Sequence, residues 1–554
     1  MQVAAVLMEI LRAAGVRYLF GNPGTTELTF LDALPDSRLE YIVALQEATA
    51  VAAADGYAQA TGTVAVANVH VAPGLANGLS ILHNARRAKS PVILTAGQQD
   101  TRLLMDEPIL AGDLVAMAQP LAKWACEIRR PEEAAPILRR ALKVALTPPT
   151  GPVFLSLPMD LMTAVVDDAG TAPPAVFSRS RPEASAVERA AAILAGARAP
   201  VIIAGDGVAR AGAVTELTAL AETIGARVHG EPVYRRTSFP GTHALWRGGL
   251  YPAPAAIRKA LDGADAVLIV GANVFTWFLH SEGEPFPRGL NVIQVDDDAW
   301  EVGRSIPVSL GIVADPQATL AELTSAVASR MSEGARTAAR ERVAAIGQGR
   351  AQTLARLQSA ADGERERTPI SPAYLMRTLA TLLPANAVVV DESASSLAHV
   401  LRHLPFSAPG SFYGSKTGTL GWAMGAAVGI KLACPDRPVV VTIGDGSVMY
   451  APQALWTAAH YRLPITYVVA NNSSYAILKG GMMTLGLPSA KRGIFPGMDL
   501  VDPLVDYVAL ARALGARAER VEKPGDLGDV LRACLGHPGP SVVDVVIDRS
   551  VTPA

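Results

Sequence analysis

Short apolar runs recur along this chain, each ending in a polar or glycine-rich corner and followed by residues at helical spacing. The clearest case is PVVVTIGDGSVMYAPQALWTAAHYRLPITYVVANN. Pro438 to Ile443 reads as a buried strand, the segment after Ser447 sets Leu455, Ala458 and Ala459 on one helical face, and Ile465 to Ala470 is a strand again. A βαβ unit of this kind crosses over right-handedly and leaves its two strands parallel, so both end on the same edge of the sheet. Asp445 and Asn472, 27 positions apart, are thereby predicted to be neighbours.

Glycines on both sides of Asp445 let a backbone approach a ligand closely. A carboxylate and an amide oxygen are hard ligands suited to Mg²⁺, which keeps further positions for phosphate oxygens. The pair therefore predicts a metal-diphosphate site. An isolated Gly-Asp-Gly is more often a plain turn, and the chain holds such a copy. Gly205-Asp206-Gly207 also follows an apolar strand, Val201 to Ala204, but no Asn pair stands about 27 residues later.

The same alternation fills three pieces. Stretches rich in Pro, Gly and small polar residues (167–184) and in Gln and Arg (347–369) read as linkers. They delimit domains at 1–170, 185–345 and 368–554, each α/β with a doubly wound parallel sheet. In the first, VRYLF leads into Gly21-Asn22-Pro23-Gly24, YIVAL into Gln46-Glu47, and TVAVANV into His70. In the third, AVVV leads into Asp391-Glu392-Ser393 on the edge that carries Asp445 and Asn472. Carboxyl edges of open α/β sheets are where ligands bind, so the chain offers two half-sites. The middle piece, Rossmann-like, has VIIAGDGVARAG at the corresponding place. It lacks a full GxGxxG and a well-spaced acid, which favours a scaffold role.

Composition narrows the classes. The chain has 554 residues, half of them apolar, and a formal net charge of −2, which offers no electrostatic footprint for nucleic acid or an anionic membrane. Cys126, Cys434 and Cys534 lack CxxC spacing and argue for a reducing compartment. No apolar run is long enough to span a bilayer, and MQVAAVLMEILRAAG carries Glu9 and Arg12, unlike a signal peptide. A cytoplasmic location is expected.

Gly444-Asp445-Gly446 with Asn471-Asn472, Glu47 and the three-domain layout resemble the thiamine-diphosphate enzymes. FGNPGTTEL, LQEA, DGYAQATG, NVHVAPG, TAGQQD, GPVFLSLPMD and ALWTAAHYRLP look most like the 2-keto acid decarboxylases of the benzoylformate decarboxylase group. The resemblance implies a pyrimidine-binding, a middle and a diphosphate-binding domain. It also implies a homodimer or homotetramer whose sites lie between the first domain of one subunit and the third of its neighbour. It makes Asp445, Asn472 and the carbonyl of Ser474 ligands of Mg²⁺, sets Ser395, Gly446 and Ser447 near the diphosphate, and counts Tyr475 among the cofactor-binding residues. Leu420 would bend thiamine diphosphate into a V, and Gly418 would accept from its aminopyrimidine. Glu47, which alone could be a carboxylate favoured by a helix N-terminus, would hydrogen-bond the pyrimidine nitrogen and favour the imino tautomer. His70 would orient the 2-keto carboxylate and move protons. Thr25 stands where the group has a substrate-binding serine.

Some positions depart from the pattern. The middle-domain histidine of the group aligns with Phe278, and His280, two positions on, is the nearest candidate. Gly481 and Gly414 stand where pocket phenylalanines are expected, which predicts a wider pocket, while Ile477 narrows it elsewhere. The resulting expectation is non-oxidative decarboxylation of an aryl or branched 2-keto acid to an aldehyde and CO₂, with carboligation as a side activity. The competing readings are an acetolactate-synthase-like carboligase using FAD and a catalytically silent scaffold. His70 argues against the first, because the synthases place an apolar or amide residue there. Glu47, Asp445 and Asn472 together argue against the second.

Overall fold

A computed structural model describes residues 1–171 and 176–550, so part of the expected first linker, 172–175, lies outside the described residues. Three six-stranded sheets follow one another along the chain. The first comprises β1 (Tyr18–Gly21), β2 (Glu40–Val43), β3 (Ala65–Val69), β4 (Val92–Gln98), β5 (Trp124–Glu127) and β6 (Val153–Pro158). The second comprises β7 (Pro200–Ala204), β8 (Arg227–Gly230), β9 (Trp246–Gly249), β10 (Ala266–Val270), β11 (Asn291–Asp296) and β12 (Leu310–Val313). The third comprises β13 (Val388–Glu392), β14 (Phe412–Gly414), β15 (Val439–Gly444), β16 (Ile465–Asn471), β17 (Arg517–Val521) and β18 (Ser541–Val546).

Neighbouring strands pair in parallel, as between β15 and β16, where Gly444 sits opposite Ala470. Central strands such as β3, β10 and β15 are buried almost end to end, which parallel sheets covered by helices on both faces require. The first and third sheets share one strand order, β2-β1-β3-β4-β6-β5 and β14-β13-β15-β16-β18-β17. The middle sheet, β12-β11-β10-β7-β8-β9, has the classic doubly wound order of dinucleotide-binding folds.

The first and third domains meet through two helices, Glu47–Thr61 and Trp422–Ala433. Their seam is built of Ala and Gly. A Cβ on Gly429 would come 1.8 Å from the carbonyl oxygen of Ala53, and one on Gly56 would come 2.4 Å from that of Ala426. Asp55, fully buried in this seam, accepts from Gln59, Asn84 and the Trp422 indole, at 3.0, 2.7 and 2.7 Å. Among the described residues, no helix is long and apolar enough to cross a membrane.

The expected second linker, 347–369, is largely helical. Residues 347–363 form the second half of a 31-residue helix, Glu333–Gly363, of which only Ala339 and Ala361 are buried. Its charged, Ala- and Gln-rich composition has high helix propensity, and a polar helix needs only local anchors. Arg342 supplies one by donating to the carbonyls of Ile224 and Gly225, and Arg350 another by donating to Trp246 and Gly241.

Candidate active site

Two corners at the carboxyl edge of the first sheet converge. After β2, Gln46 caps helix Glu47–Thr61, its side chain accepting from Thr49 N at 3.0 Å, which sets Glu47 in the first turn. Asn77 donates to Glu47 Oε2 at 3.0 Å and Asn22 to Oε1 at 3.4 Å. After β3, His70 occupies the N-cap of helix Val71–Ala88. The next residue, Val71, has φ of +44°, a costly conformation for a β-branched side chain, and such strain concentrates at functional corners.

Glycines make the close approach possible. A Cβ on Gly24 would lie 2.0 Å from the His70 ring, and one on Gly74 would lie 3.1 Å from Glu47 Oε1 and 3.3 Å from His70 Cβ. Glu47 and His70 therefore flank one point of helix Val71–Ala88.

The His70 ring is held by a carboxylate that the sequence reading did not single out. Glu27, 1% exposed, places Oε2 2.8 Å from His70 Nδ1, and its Oε1 accepts from Gly97 N at 2.7 Å. With Nδ1 carrying the proton that faces a carboxylate, Nε2 is left as the free acceptor. Thr26, not Thr25, is the hydroxyl beside the ring, at 3.3 Å, while Thr25 is exposed at the start of the 3₁₀ turn. Sequence marks the positions but not their partners: the threonines and Glu27 share one short turn after Gly24, and Asn77 lies two helical turns beyond His70.

On the third domain the strand register brings Asp445 and Asn472 to adjacent strand ends. Asp445 Oδ1 accepts from Gly446 N at 2.9 Å, whereas Oδ2 is buried without a hydrogen-bond partner. Burial pushes this carboxyl up to about 6. A buried, orphaned carboxylate oxygen is what a cation would satisfy. Asn471 is turned away to donate to Asp544 at 2.8 Å, which leaves Asn472, whose Oδ1 accepts from Ser474 N at 3.0 Å. Between them Ser473 sits at φ +49°, a second strained corner. Tyr475 packs over Gly446, where a Cβ would meet its ring at 2.5 Å. The donor set of one carboxylate, one amide oxygen and the nearby Ser474 backbone suits a hard divalent cation that shares phosphate oxygens.

Glu392 closes the floor. It accepts from Gly421 N at 2.5 Å and Ala423 N at 2.7 Å, the first donors of helix Trp422–Ala433, and bonds the Ser447 hydroxyl. Burial pushes it up to about 8. Gly418, at φ +71°, is exposed, Leu420 half-buried and Ser395 exposed. The loop carrying Gly418 and Leu420 is fastened to helix Val71–Ala88: Asn84 Oδ1 accepts from Lys416 N at 2.7 Å and Ser415 Oγ at 3.2 Å. The helix that holds His70 and Asn77 thus also anchors this loop.

His280 lies on an exposed loop after β10, its imidazole 3.3 Å from Glu282 and 85% exposed, with no contact to His70. Gly414 is buried in β14, and a Cβ there would meet Arg235 Cδ at 2.8 Å, so the volume of the missing ring is occupied by Arg235. Gly481 has nothing within 4 Å, and Ile477 is exposed.

Three segments match thiamine pyrophosphate enzyme domains: residues 1–117 the N-terminal TPP binding domain, 187–323 the central domain and 394–545 the C-terminal TPP binding domain. The chain is 34% identical to benzoylformate decarboxylase of Pseudomonas aeruginosa over 546 residues, 97% of each chain. It is 27% identical to acetolactate synthase isozyme 3 large subunit of Escherichia coli over 561 residues, 99% of this chain and 95% of the other. The crystal structure of benzoylformate decarboxylase from Polynucleobacter necessarius superposes with a TM-score of 0.89 at 31% identity, covering 100% of both chains.

Proposed function

The chain belongs to the thiamine pyrophosphate enzymes, and from that premise we propose that it decarboxylates a 2-keto acid, aryl or branched, to an aldehyde and CO₂ with Mg²⁺ as the metal. The observation that carries this reading is the His70–Glu27 pair beside Glu47. It supplies a proton carrier, held in one tautomer, next to the carboxylate that would face the cofactor.

When bound, thiamine diphosphate supplies the carbon nucleophile and the electron sink for loss of CO₂. The chain's own groups do the rest. Asp445, Asn472 and the Ser474 carbonyl would hold Mg²⁺, and through it the diphosphate, beside Ser447, Gly446, Ser395 and Tyr475. Glu47, kept in place by Asn22 and Asn77, would accept from the pyrimidine ring, with Gly418 and Leu420 lining the cofactor. His70 can take a proton at Nε2 and hand it back from there as the imidazolium, which Glu27 balances, while Thr25 and Thr26 offer hydroxyls to the substrate carboxylate. His280 joins the site only if its exposed loop is brought to it in a homodimer or homotetramer, with the first domain of one subunit facing the third of the next.

The test is the purified protein with thiamine diphosphate, Mg²⁺ and a panel of 2-keto acids, scoring CO₂, aldehyde and acyloin separately. Aldehyde as the main product without FAD, and a turnover at least about tenfold lower in His70→Ala, about 1.4 kcal/mol, are expected. Full-length similarity to an acetolactate synthase supports a second reading, carboligation. Acetolactate from pyruvate with a requirement for FAD, and His70→Ala near wild type, would establish that alternative instead.

A further inference from the structure

Where the three domains meet, away from Asp445 and Glu47, lies a cavity of about 20 Å³. Its wall draws cations from every domain: Arg87 and Lys89 from the first, Arg210, Arg235 and Arg236 from the middle, and Lys416 from the third. Most of them are neutralised. Lys416 Nζ is 2.7 Å from both Asp206 and Glu231, Lys89 is 3.1 Å from Asp298, and Arg210 pairs with Asp297.

Arg236 is not. It is 8% exposed, its backbone bridges to Tyr413 of the third domain, and its guanidinium has no hydrogen bond or ion pair among the described residues. Beside it, Arg235 pairs through Nη1 with Asp391, at 3.8 Å, but its Nε is buried without a hydrogen-bond partner, and Arg87 is half-buried with no partner among the described residues. An unpaired guanidinium withdrawn from water is strongly disfavoured unless a counter-charge reaches it, and water cannot supply charge. A planar guanidinium with several N–H donors is suited to anions.

We propose that this cavity binds a small inorganic anion, a halide or a tetrahedral oxyanion, on the Arg236 guanidinium, and that the bound anion ties the three domains together. A nucleotide does not suit the place. The Gly205-Asp206-Gly207 turn is filled by protein: a Cβ on Gly205 would lie 2.2 Å from Gly271 O, and one on Gly207 2.7 Å from Gly271 Cα. Asp206 is itself spent on the backbone N–H groups of Arg235 and Arg236, at 2.8 and 3.0 Å, and on Lys416.

The test uses the full chain exchanged into sodium gluconate and titrated with chloride, bromide or phosphate at constant ionic strength and pH. A saturable rise of about 2–4 °C in the unfolding midpoint is expected with the small anion and not with gluconate, and it should be absent in Arg236→Gln. A response to chloride and bromide alone assigns a halide, and one to phosphate alone an oxyanion. Crystals grown with bromide, or with phosphate, should show the anion within hydrogen-bond distance of Arg236. That measurement needs only the wild type, so it stands even if Arg236→Gln does not fold. Identical midpoints in all salts, or no anion at Arg236 in either crystal, would overturn the proposal.

Discussion

Glu27 Oε2 lies 2.8 Å from His70 Nδ1, and the Glu27 carboxylate is itself fixed by Gly97 N–H at 2.7 Å. The pair is built from three different strand ends: the turn after β1, the end of β3 and the end of β4. A Cβ on Gly97 would come 2.3 Å from Glu27 Oε1, so only glycine admits the carboxylate there. If this contact sets the His70 tautomer, Glu27→Gln should lower kcat by about 10²-fold, with thiamine diphosphate affinity unchanged. Steady-state kinetics alongside a cofactor titration checks it, and an unaltered kcat would reduce Glu27 to a packing role.

Asp445 should matter to binding and not to folding. Its Oδ2 is buried without a partner, and burial holds the carboxyl at about 6. Removing an uncompensated carboxylate relieves the cofactor-free chain. Asp445→Ala without cofactor should therefore melt no lower than wild type, yet bind thiamine diphosphate with Mg²⁺ more than about 100-fold more weakly, because the anionic diphosphate loses the group that anchors its counter-ion. Calorimetric titration and thermal melts separate the two effects. Wild-type affinity in a folded variant would remove the metal assignment.

The seam between the first and third domains should tolerate no added methyl. Gly429→Ala would set a Cβ 1.8 Å from Ala53 O, against backbone that cannot yield. A loss of about 3 kcal/mol is expected, at the upper end of overpacking costs. Gly528→Ala, in helix Leu527–Leu535 with nothing within 4 Å, is the control and should be neutral or slightly stabilising. Denaturation midpoints of the two variants measured together decide the point.

A buried histidine outside the active site should weaken the fold in acid. Burial, with Arg227 and Arg247 nearby, lowers His229 to about 4 from an ordinary 6.5. Because the folded value is depressed, its contribution is fully present above the unfolded value near 6.5 and is lost as pH falls through about 4. The full effect is about 3 kcal/mol. Melting temperatures should fall more steeply over that window for wild type than for His229→Gln. Parallel curves would contradict the assignment.

Much of this was legible in the sequence alone. Buried parallel strands leave a period-free apolar signature, and a βαβ crossover has one hand. The strand ends at Glu47, His70, Asp445 and Asn472 could therefore be assigned to two sheet edges from sequence spacing. What spacing could not supply is which side chains meet across different strand ends. Glu27 reaches His70 only because β3 and β4 lie side by side and Gly97 leaves room, a fact of sheet order and not of local pattern. Thr26 sits beside His70 and Thr25 faces outward because the 3₁₀ turn buries Thr26 and Glu27 against the sheet edge and leaves its first residue exposed. The helix at 333–363 was hidden because its composition is that of a solvated linker until tertiary anchors such as Arg342 and Arg350 hold it down. Gly414 faces Arg235 because a second domain packs on β14. Local sequence determined the elements and the edge where ligands bind. Packing between elements distant in the chain decided which groups share that edge, since side-chain contacts depend on domain docking that no local period encodes.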